Sequence, residues 1–229
     1  MPPSPREALT RAATAPPRDD ALTFERPYFH GRGSNYLFGY HRLRARWFWR
    51  RRVQLVRTLL PHGRLLDVGC AFGFFLALLD GAYEAYGLDI SDYAIAQARR
   101  ILPSPERFQQ GDVTAGVPFP KPFDLITAFD VAEHLADPAG ALARLAEALR
   151  PGGLLVLELP TRSAWIDRDQ SHHYRPLSDW TMLLREAGFQ VLRTQGFWTI
   201  GLRIVLIPAG RRANYHQLIA RRESLSSSH

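Results

Sequence analysis

The sequence predicts an α/β fold built on a mainly parallel β-sheet. Short apolar segments with strand character alternate along the chain with longer segments whose apolar residues recur at helical spacing. A glycine-containing turn follows the first of these strands, at Leu65 to Val68, and leads into a further apolar run. The chain has 229 residues, of which 46% are hydrophobic, so it can bury a full core without disulfides or structural metals.

The elements can be assigned in chain order from these patterns. Strands are expected at 65–68, 85–88, 107–109, 125–129, 154–159, 191–195 and 199–207. Helices are expected between them at 74–79, 93–102, 139–149 and 177–187. An earlier helix lies between Arg42 and Arg57, where seven arginines are interleaved with aromatic and aliphatic residues at helical spacing.

The same patterns suggest how the chain is divided. Residues 1–26 are rich in Pro, Ala and charged residues, and we expect them to be disordered. Residues 27–62 carry an aromatic, glycine-containing segment that could fold over a bound ligand, followed by the arginine-rich helix. The domain proper is expected at 63–210, and residues 211–229 are expected to form a basic tail with a short helix and a frayed end.

The turn from Asp67 to Gly73 does not have the composition of a phosphate-binding loop. Neither Gly-x-x-x-x-Gly-Lys-Ser/Thr nor Gly-x-Gly-x-x-Gly occurs there. The carboxylate of Asp67 would repel a pyrophosphate but would suit a ligand with a cationic amine. The turn therefore argues against ATP and NAD as ligands.

Five motifs follow one another from this turn onwards. They are Asp67-Val68-Gly69-Cys70-Ala71-Phe72-Gly73, Tyr86-Gly87-Leu88-Asp89-Ile90-Ser91, Gly111-Asp112-Val113, the run from Phe123 to His134, and Leu149-Arg150-Pro151-Gly152-Gly153. In order and spacing they resemble the class I S-adenosylmethionine-dependent methyltransferases, of the small-molecule type that includes ubiquinone-pathway O-methyltransferases. The resemblance covers Leu65 to Val191. It implies a Rossmann-like three-layer sandwich with a mainly parallel seven-stranded sheet, in which the last strand is antiparallel.

The resemblance also implies a site for S-adenosylmethionine at the carboxyl ends of the strands. Gly69 and Gly73 allow the backbone to approach the methionine part, and Asp67 can face its ammonium group. Asp89 comes 20 residues after Gly69, where a carboxylate can accept hydrogen bonds from both ribose hydroxyls. Asp112 is expected to read the adenine amino group. The complete expected set is Asp67, Gly69, Cys70, Ala71, Gly73, Asp89, Ile90, Asp112, Val113 and Asp130.

One position in this set departs from the family. The family usually has glycine where Ala71 stands. A methyl group is tolerated there if the residue has a negative φ, and that is the expectation for Ala71.

Methyl transfer to a hydroxyl group requires a base near the reacting atoms. The candidates are Glu133 and His134, which follow the fourth strand, and His173, which precedes the helix at 177–187. Asp130 and His134 are four residues apart, so together with Glu133 and with His172 or His173 they could instead hold a metal ion. A purely structural role for the Glu133-His134 pair is the third interpretation.

Composition limits the partners only loosely. The net charge is +7, but only Lys121 among the 29 basic residues is a lysine, so the basicity reflects general arginine use as much as any ligand. The single cysteine, Cys70, excludes an internal disulfide and a cysteine-based zinc site. No transmembrane segment or signal peptide is evident, so a cytoplasmic protein is the default expectation.

Three functions from different classes stay open. The first is methyl transfer to a hydroxyl or amine of a small polar metabolite or sugar. Arg162, Trp165, Arg168, Arg175 and the two histidines between Pro160 and Arg175 are expected to form part of its acceptor wall. The second is an RNA methyltransferase that uses the arginine-rich helix. The third is a protein that binds S-adenosylmethionine without catalysing a reaction.

Overall fold

One eight-stranded sheet organises the part of the chain that the computed structural model describes. The described residues are 24–31, 34, 36, 39–79, 81–120, 122–161, 173–200, 203–209 and 213–224. The strands are Gly63–Val68 (β1), Tyr83–Asp89 (β2), Phe108–Gln110 (β3), Phe123–Phe129 (β4), Leu149–Pro160 (β5), Phe189–Ile200 (β6), Arg203–Ile207 (β7) and Tyr215–Arg222 (β8). They lie in the order β3-β2-β1-β4-β5-β8-β6-β7.

The sheet is mainly parallel. Strand β1 pairs in parallel with β2 and β4, β2 pairs with β3, and β4 pairs with β5. Strand β8 is antiparallel to both β5 and β6, and β7 is antiparallel to β6. The predicted fold class and the antiparallel last strand are confirmed. The described sheet has eight strands instead of seven, because one more strand follows residue 210.

That additional strand corrects the expectation for the C-terminal tail. A basic helix was predicted within 211–229, but residues 215–222 form β8 between β5 and β6. Five consecutive residues of β8, 216–220, are buried. A strand that is covered on both faces shows no alternation of apolar and polar residues, so its sequence pattern does not distinguish it from a helix. The helix prediction was wrong, and the segment is part of the sheet.

The described α-helices are Arg26–Phe29 (α1), Arg46–Leu59 (α2), Asp92–Ile101 (α3), Pro138–Ala148 (α4) and Leu177–Glu186 (α5). Local capping fixes two of their starts. The Ser91 side chain accepts a hydrogen bond from the Ala94 amide at 3.1 Å, and the Asp137 carboxylate accepts one from the Gly140 amide at 2.9 Å.

The helix predicted at 74–79 is wrong. Only a 3₁₀ turn, Leu76–Leu78, lies there. Gly73 has φ +71° and Gly81 has φ +81°, so left-handed residues interrupt helical geometry on both sides of this turn.

Helices cover both faces of the sheet and produce three layers. Neighbouring residues of a strand point to opposite faces, so Leu66 and Ile126 pack in a core with Leu142 of α4 and Leu183 of α5. Leu65 packs on the other face in a second core that also includes Val56 of α2 and Ile95 of α3. No helix in the described part of the chain is long and apolar enough to cross a bilayer.

Candidate functional site

Two adjoining cavities open at the carboxyl ends of the parallel strands. The first has a volume of about 220 Å³ and the second about 190 Å³. Both are lined by Gly69, Ala71, Asp130 and His134, so they share a wall. Seven of the ten predicted cofactor residues line the first cavity: Gly69, Ala71, Asp89, Ile90, Asp112, Val113 and Asp130. Asp67 and Cys70 line only the second, and Gly73 lines neither.

The turn after β1 brings the backbone close to its surroundings. The Gly69 amide donates a hydrogen bond to the Leu88 carbonyl at 2.7 Å, which ties the turn to β2. Gly69 has φ +72°, and a Cβ atom at this position would lie 2.1 Å from Cγ2 of Val131. Glycine is therefore required here both by the backbone conformation and by the close contact with Val131.

Ala71 contradicts its predicted conformation. Its φ is +48°, not negative. This left-handed conformation is associated with a hydrogen bond from the Ala71 amide to Oδ2 of Asp89 at 2.8 Å. The turn thus keeps the conformation typical of glycine at the cost of some backbone strain, and the amide fixes the carboxylate on the neighbouring strand.

Asp89, the last residue of β2, is a buried carboxylate. Its Oδ1 accepts a hydrogen bond from the Ser91 amide at 2.9 Å, in addition to the bond from Ala71. Burial raises the pKa of Asp89 to about 6, although the two amide hydrogen bonds lower it in part. Each carboxylate oxygen can accept more than one hydrogen bond, so Asp89 is held rigidly and can still accept hydroxyl donors from a ligand in the first cavity.

Asp112 and Val113 lie across the first cavity from this turn. Val113 is buried, whereas Asp112 is exposed. Oδ1 of Asp112 accepts a hydrogen bond from the Thr114 amide at 2.8 Å, which closes a local turn. The two residues offer an apolar surface and a carboxylate to the same ligand.

Asp67 carries a second buried carboxylate, on the side of the second cavity. Its Oδ1 accepts a hydrogen bond from the Thr127 hydroxyl at 2.6 Å. Burial raises the pKa of Asp67 to about 7. A cationic group in the second cavity would stabilise the charged form of this carboxylate, so the position suits an ammonium group.

Arg52 of α2 joins the N-terminal helix to the site. Its Nη2 lies 2.5 Å from Oδ2 of Asp130, and its Nε lies 2.7 Å from Oε2 of Glu158. Glu158 is fully buried and also contacts Arg51 and Gln217. Burial alone would lower the pKa of Arg52, but Asp130 and Glu158 raise it above its ordinary value.

This cluster has a geometric effect on the turn after β4. Asp130 has φ +58°, which is unusual for a residue other than glycine. Its amide donates to the Glu158 carbonyl at 3.0 Å, and its carboxylate is held by Arg52. The following residues include Val131, which contacts Gly69, and His134. Arg52 and Glu158 were not predicted as site residues. Helical spacing does not reveal which arginines of α2 point inward, and Glu158 belongs to none of the five motifs.

The structure places the three candidate bases differently. His134 is half-buried and lines both cavities, and its ring centroid lies 5.0 Å from that of Phe24. Glu133 is buried and lines the second cavity. His173 is exposed and lines neither cavity, although its amide donates to the Glu133 carbonyl at 2.6 Å. The catalytic assignment of His173 therefore gains no support from its position.

The described residues do not form the metal site that was considered at Asp130, Glu133 and His134. No group of three or more His, Cys, Asp or Glu side chains is arranged to hold a metal ion within them. The Asp130 carboxylate is paired with Arg52 instead. His172, Arg162, Trp165 and Arg168 lie outside the described residues.

Aromatic side chains of the segment before α2 close one side of both cavities. Tyr28 and Tyr36 line the two cavities, and Tyr40 lines the second. The Phe29 ring packs against the Phe72 ring of the turn after β1, with ring centroids 5.0 Å apart and an angle of 34° between the ring planes. The described residues of the segment 27–62 therefore pack against the glycine turn. A segment that covers a bound ligand is expected to lie in this position.

Comparisons with known proteins agree with this geometry. A family model described as "Methyltransferase domain" matches residues 40–200. A probable S-adenosylmethionine-dependent methyltransferase of Mycolicibacterium smegmatis is 34% identical over 65% of this chain and 62% of that protein. A trans-aconitate 2-methyltransferase of Methylobacterium nodulans is 43% identical over 44% of this chain and 40% of that protein. A ubiquinone biosynthesis O-methyltransferase of Thiobacillus denitrificans is 28% identical over 47% and 49%.

Solved structures show the same fold. An S-adenosylmethionine-dependent methyltransferase of Thermotoga maritima superposes with a TM-score of 0.64 at 18% identity, over 80% of this chain and 94% of that one. The chain spans about two fifths to three fifths of the length of the curated relatives that it matches.

The residues at the two cavities fit S-adenosylmethionine. Asp89 presents a buried carboxylate to the first cavity, and a side chain at Gly69 would collide with Val131 in the shared wall. Oδ1 of Asp130 is buried and accepts no hydrogen bond from any of the described residues. With the family model matching most of the chain, these observations lead to one conclusion: the chain belongs to the family of class I S-adenosylmethionine-dependent methyltransferases.

Proposed function

We propose that this protein transfers a methyl group from S-adenosylmethionine to a hydroxyl, or to an amine, of a small polar metabolite. The observation that carries the proposal is the position of His134, which lines both cavities. A base at the shared wall can reach an acceptor in the second cavity close to a donor that extends from the first. This is the arrangement that methyl transfer to a protonated nucleophile requires.

Several residues at the two cavities would bind the methyl donor. Asp89, Asp112 and Val113 would hold the adenosine part of the donor, and Asp67 would hold its ammonium group. When bound, the donor supplies a methyl group on a positively charged sulfur, which is already activated for transfer. The protein therefore has to align the acceptor, exclude water and remove one proton.

His134 is the residue that we assign to proton removal. Its imidazole can accept a proton from an acceptor hydroxyl within hydrogen-bonding reach, at the time when the oxygen bonds to the methyl carbon. Glu133 is buried and lines the second cavity together with His134, so it can orient the acceptor or the imidazole. Arg52 acts indirectly, since it fixes the turn at Asp130 that carries both residues.

The second cavity has room only for a small acceptor, because the methionine part of the donor at Asp67 would share it. It measures about 190 Å³ and is bounded by Tyr36, Tyr40 and Tyr215. Aromatic rings provide flat apolar walls, while the tyrosine hydroxyls and His134 provide polar partners. These features favour a compact molecule with hydroxyl or amine groups.

A methyl-transfer screen tests the proposal. Tritiated S-adenosylmethionine would be incubated with the protein and with panels of phenols, hydroxy acids, sugars and amines. His134→Gln should lower kcat by roughly a hundredfold or more with little effect on KM, and should flatten the pH profile of kcat. The matched control is His41→Gln, because His41 is exposed and lines neither cavity.

Two results would oppose the proposal. If the donor binds but no small acceptor is labelled, the protein is better described as a silent binding protein or as an enzyme for larger acceptors. Unchanged turnover in His134→Gln would reject His134 as the base.

A further inference from the structure

The outer face of α2 carries an open groove that is separate from the two cavities. It has a volume of about 570 Å³ and is closed on one side by Leu78 of the 3₁₀ turn. None of its lining residues lines the first or the second cavity. Its polar and aromatic lining residues are Arg46, Trp47, Arg50, Gln54, Arg57 and Thr58. The methyl-transfer site does not account for this groove.

The three arginines form a row along the helix. Arg46, Arg50 and Arg57 are separated by four and seven residues, so they lie on one face of α2. At 1.5 Å per residue the row is roughly 16 Å long. Gln54 and Thr58 lie on the same face and add hydrogen-bonding groups. A row of this kind can contact several anionic groups of one extended ligand.

The charge of this face is not balanced locally. The sequence contains no Asp or Glu between Arg26 and Leu66. Among the described residues, no carboxylate lines the groove, and neither Arg46 nor Arg50 forms an ion pair. Arg51 and Arg52 differ, because they point inward to Glu158. Arg46 and Arg50 are therefore available to an anion from outside the described part of the chain. Arg57 donates one hydrogen bond, from Nη2 to the Leu78 carbonyl at 3.3 Å, which leaves its other N–H groups for such an anion.

Trp47 gives the groove an aromatic surface. Its side chain is 57% exposed although it lies within a helix that packs on the core. An exposed indole beside guanidinium groups offers a flat apolar ring on which planar bases stack well. The combination of a basic row and an aromatic platform is the one used to bind single strands of nucleic acid.

We propose that this groove binds a single strand of nucleic acid, with phosphates on the arginine row and a base stacked on Trp47. Gln54 and Thr58 line the groove beside the arginines, and these polar side chains favour a strand over a lipid bilayer. A bilayer surface would need a flat or convex patch with several apolar anchors. The inference concerns binding at α2 and does not depend on the identity of the methyl acceptor.

Fluorescence anisotropy with labelled oligonucleotides of about ten nucleotides tests the proposal. The full chain should bind oligouridine or oligothymidine, and the affinity should fall with salt with a slope of about −2 for three phosphate contacts. Arg46→Ala combined with Arg50→Ala should weaken binding at least about tenfold. Trp47→Ala should weaken it by roughly five- to a hundredfold.

A matched pair of variants controls for total charge. Arg100 and Arg193 are exposed arginines away from the groove, so Arg100→Ala combined with Arg193→Ala removes the same charge. Its affinity should stay within about twofold of the unmodified chain. Circular dichroism and donor binding, measured on every variant, would show that the fold and the methyl-transfer site are intact.

Three outcomes would overturn the proposal. The first is the absence of binding at low salt. The second is an equal loss of affinity in the control pair, which would indicate attraction by net charge alone. The third is binding to vesicles of phosphatidylglycerol that depends on Trp47, with no binding of oligonucleotides, which would identify a membrane surface instead.

Discussion

At the scale of single residues, the site depends on two carboxylates that are kept in an unfavourable environment. Asp67 and Asp89 are both buried, and burial raises their pKa to about 7 and about 6. Residues that are costly for stability and lie in a cavity are candidates for ligand binding. The sequence identified both residues through their motifs, but it did not reveal their burial.

The raised pKa of Asp67 predicts how the free energy of unfolding changes with pH. A carboxyl group whose pKa is higher in the folded state supports folding below about pH 4 and loses that contribution as the pH rises through about 7. We therefore expect Asp67→Asn to stabilise the unliganded protein at pH 8 by a few kcal/mol, and to have little effect near pH 4. Thermal denaturation at the two pH values measures this difference.

The same substitution should have the opposite effect on the ligand. The asparagine side chain is neutral, so the donor's ammonium group would lose its charged partner and bind more weakly. If Asp67→Asn is less stable at pH 8 than the unmodified protein, the buried carboxylate of Asp67 does not destabilise the fold when it is charged.

Gly69 provides a second prediction at this scale. Gly69→Ala combines a left-handed φ with a contact of 2.1 Å to Val131, so it should destabilise the fold by more than about 2 kcal/mol. Gly188→Ala is the control, because Gly188 has φ +80° but no atom within 4 Å of the position that an added methyl group would take. That change should cost about 1 kcal/mol. Urea denaturation of both variants would separate the conformational penalty from the steric one.

A partner substitution completes the test of Gly69. Val131→Ala shortens the side chain that the added methyl group would meet. The double variant should therefore be less destabilised than the sum of the two single changes. Simple additivity would show that the contact with Val131 is not the cause.

At the scale of elements, the connection between α2 and the sheet controls the geometry of the site. Arg52 joins α2 to Asp130 at the end of β4 and to Glu158 in β5. Removing one partner of a buried ion pair leaves an uncompensated charge, which costs more than the intact pair contributes. The arginine-rich helix is thus a structural support of the turn that carries His134 as well as a basic surface.

Arg52→Met tests this connection. We expect a loss of about 3 to 5 kcal/mol in the free energy of unfolding, because Glu158 stays buried while losing one of its cationic partners. Arg150→Met is the control, since its ion pair with Asp124 is largely exposed and should contribute at most about 1 kcal/mol. A small effect for Arg52→Met would mean that α2 is not anchored through this cluster.

Sequence patterns predicted the helices and strands in which apolar residues recur with a clear period. They failed for segments in which the apolar residues show no such period. The parallel strands and the helices α3, α4 and α5 were predicted to within two residues at each end, except β5, which begins five residues before its predicted start. β8 was missed because it is buried on both faces. The helix after Gly73 was overpredicted, because an apolar run does not show that the preceding residues are left-handed.

At the scale of the whole molecule, the order of the strands creates the site. β1 and β4 are neighbours in the sheet although β2 and β3 lie between them in sequence. The connection after β1 leads to β2 on one side and the connection after β4 leads to β5 on the other, which leaves a crevice at the carboxyl ends of β1 and β4. The family resemblance predicted a mainly parallel sheet with a site at the carboxyl ends of its strands, but it did not include the strand order. The division of the space into two cavities with His134 in the shared wall depends on tertiary contacts of the described residues between 24 and 40, which no local pattern encodes.

Isothermal titration calorimetry can measure whether this space binds S-adenosylmethionine through Asp89. The unmodified protein should bind the donor, and Asp89→Ala should lower the affinity by about 1.5 to 3 kcal/mol, or roughly ten- to a hundredfold. Asp92→Ala is the control, because Asp92 is exposed and lines neither cavity. Unchanged affinity in Asp89→Ala, or an equal loss in Asp92→Ala, would show that Asp89 does not hold the donor.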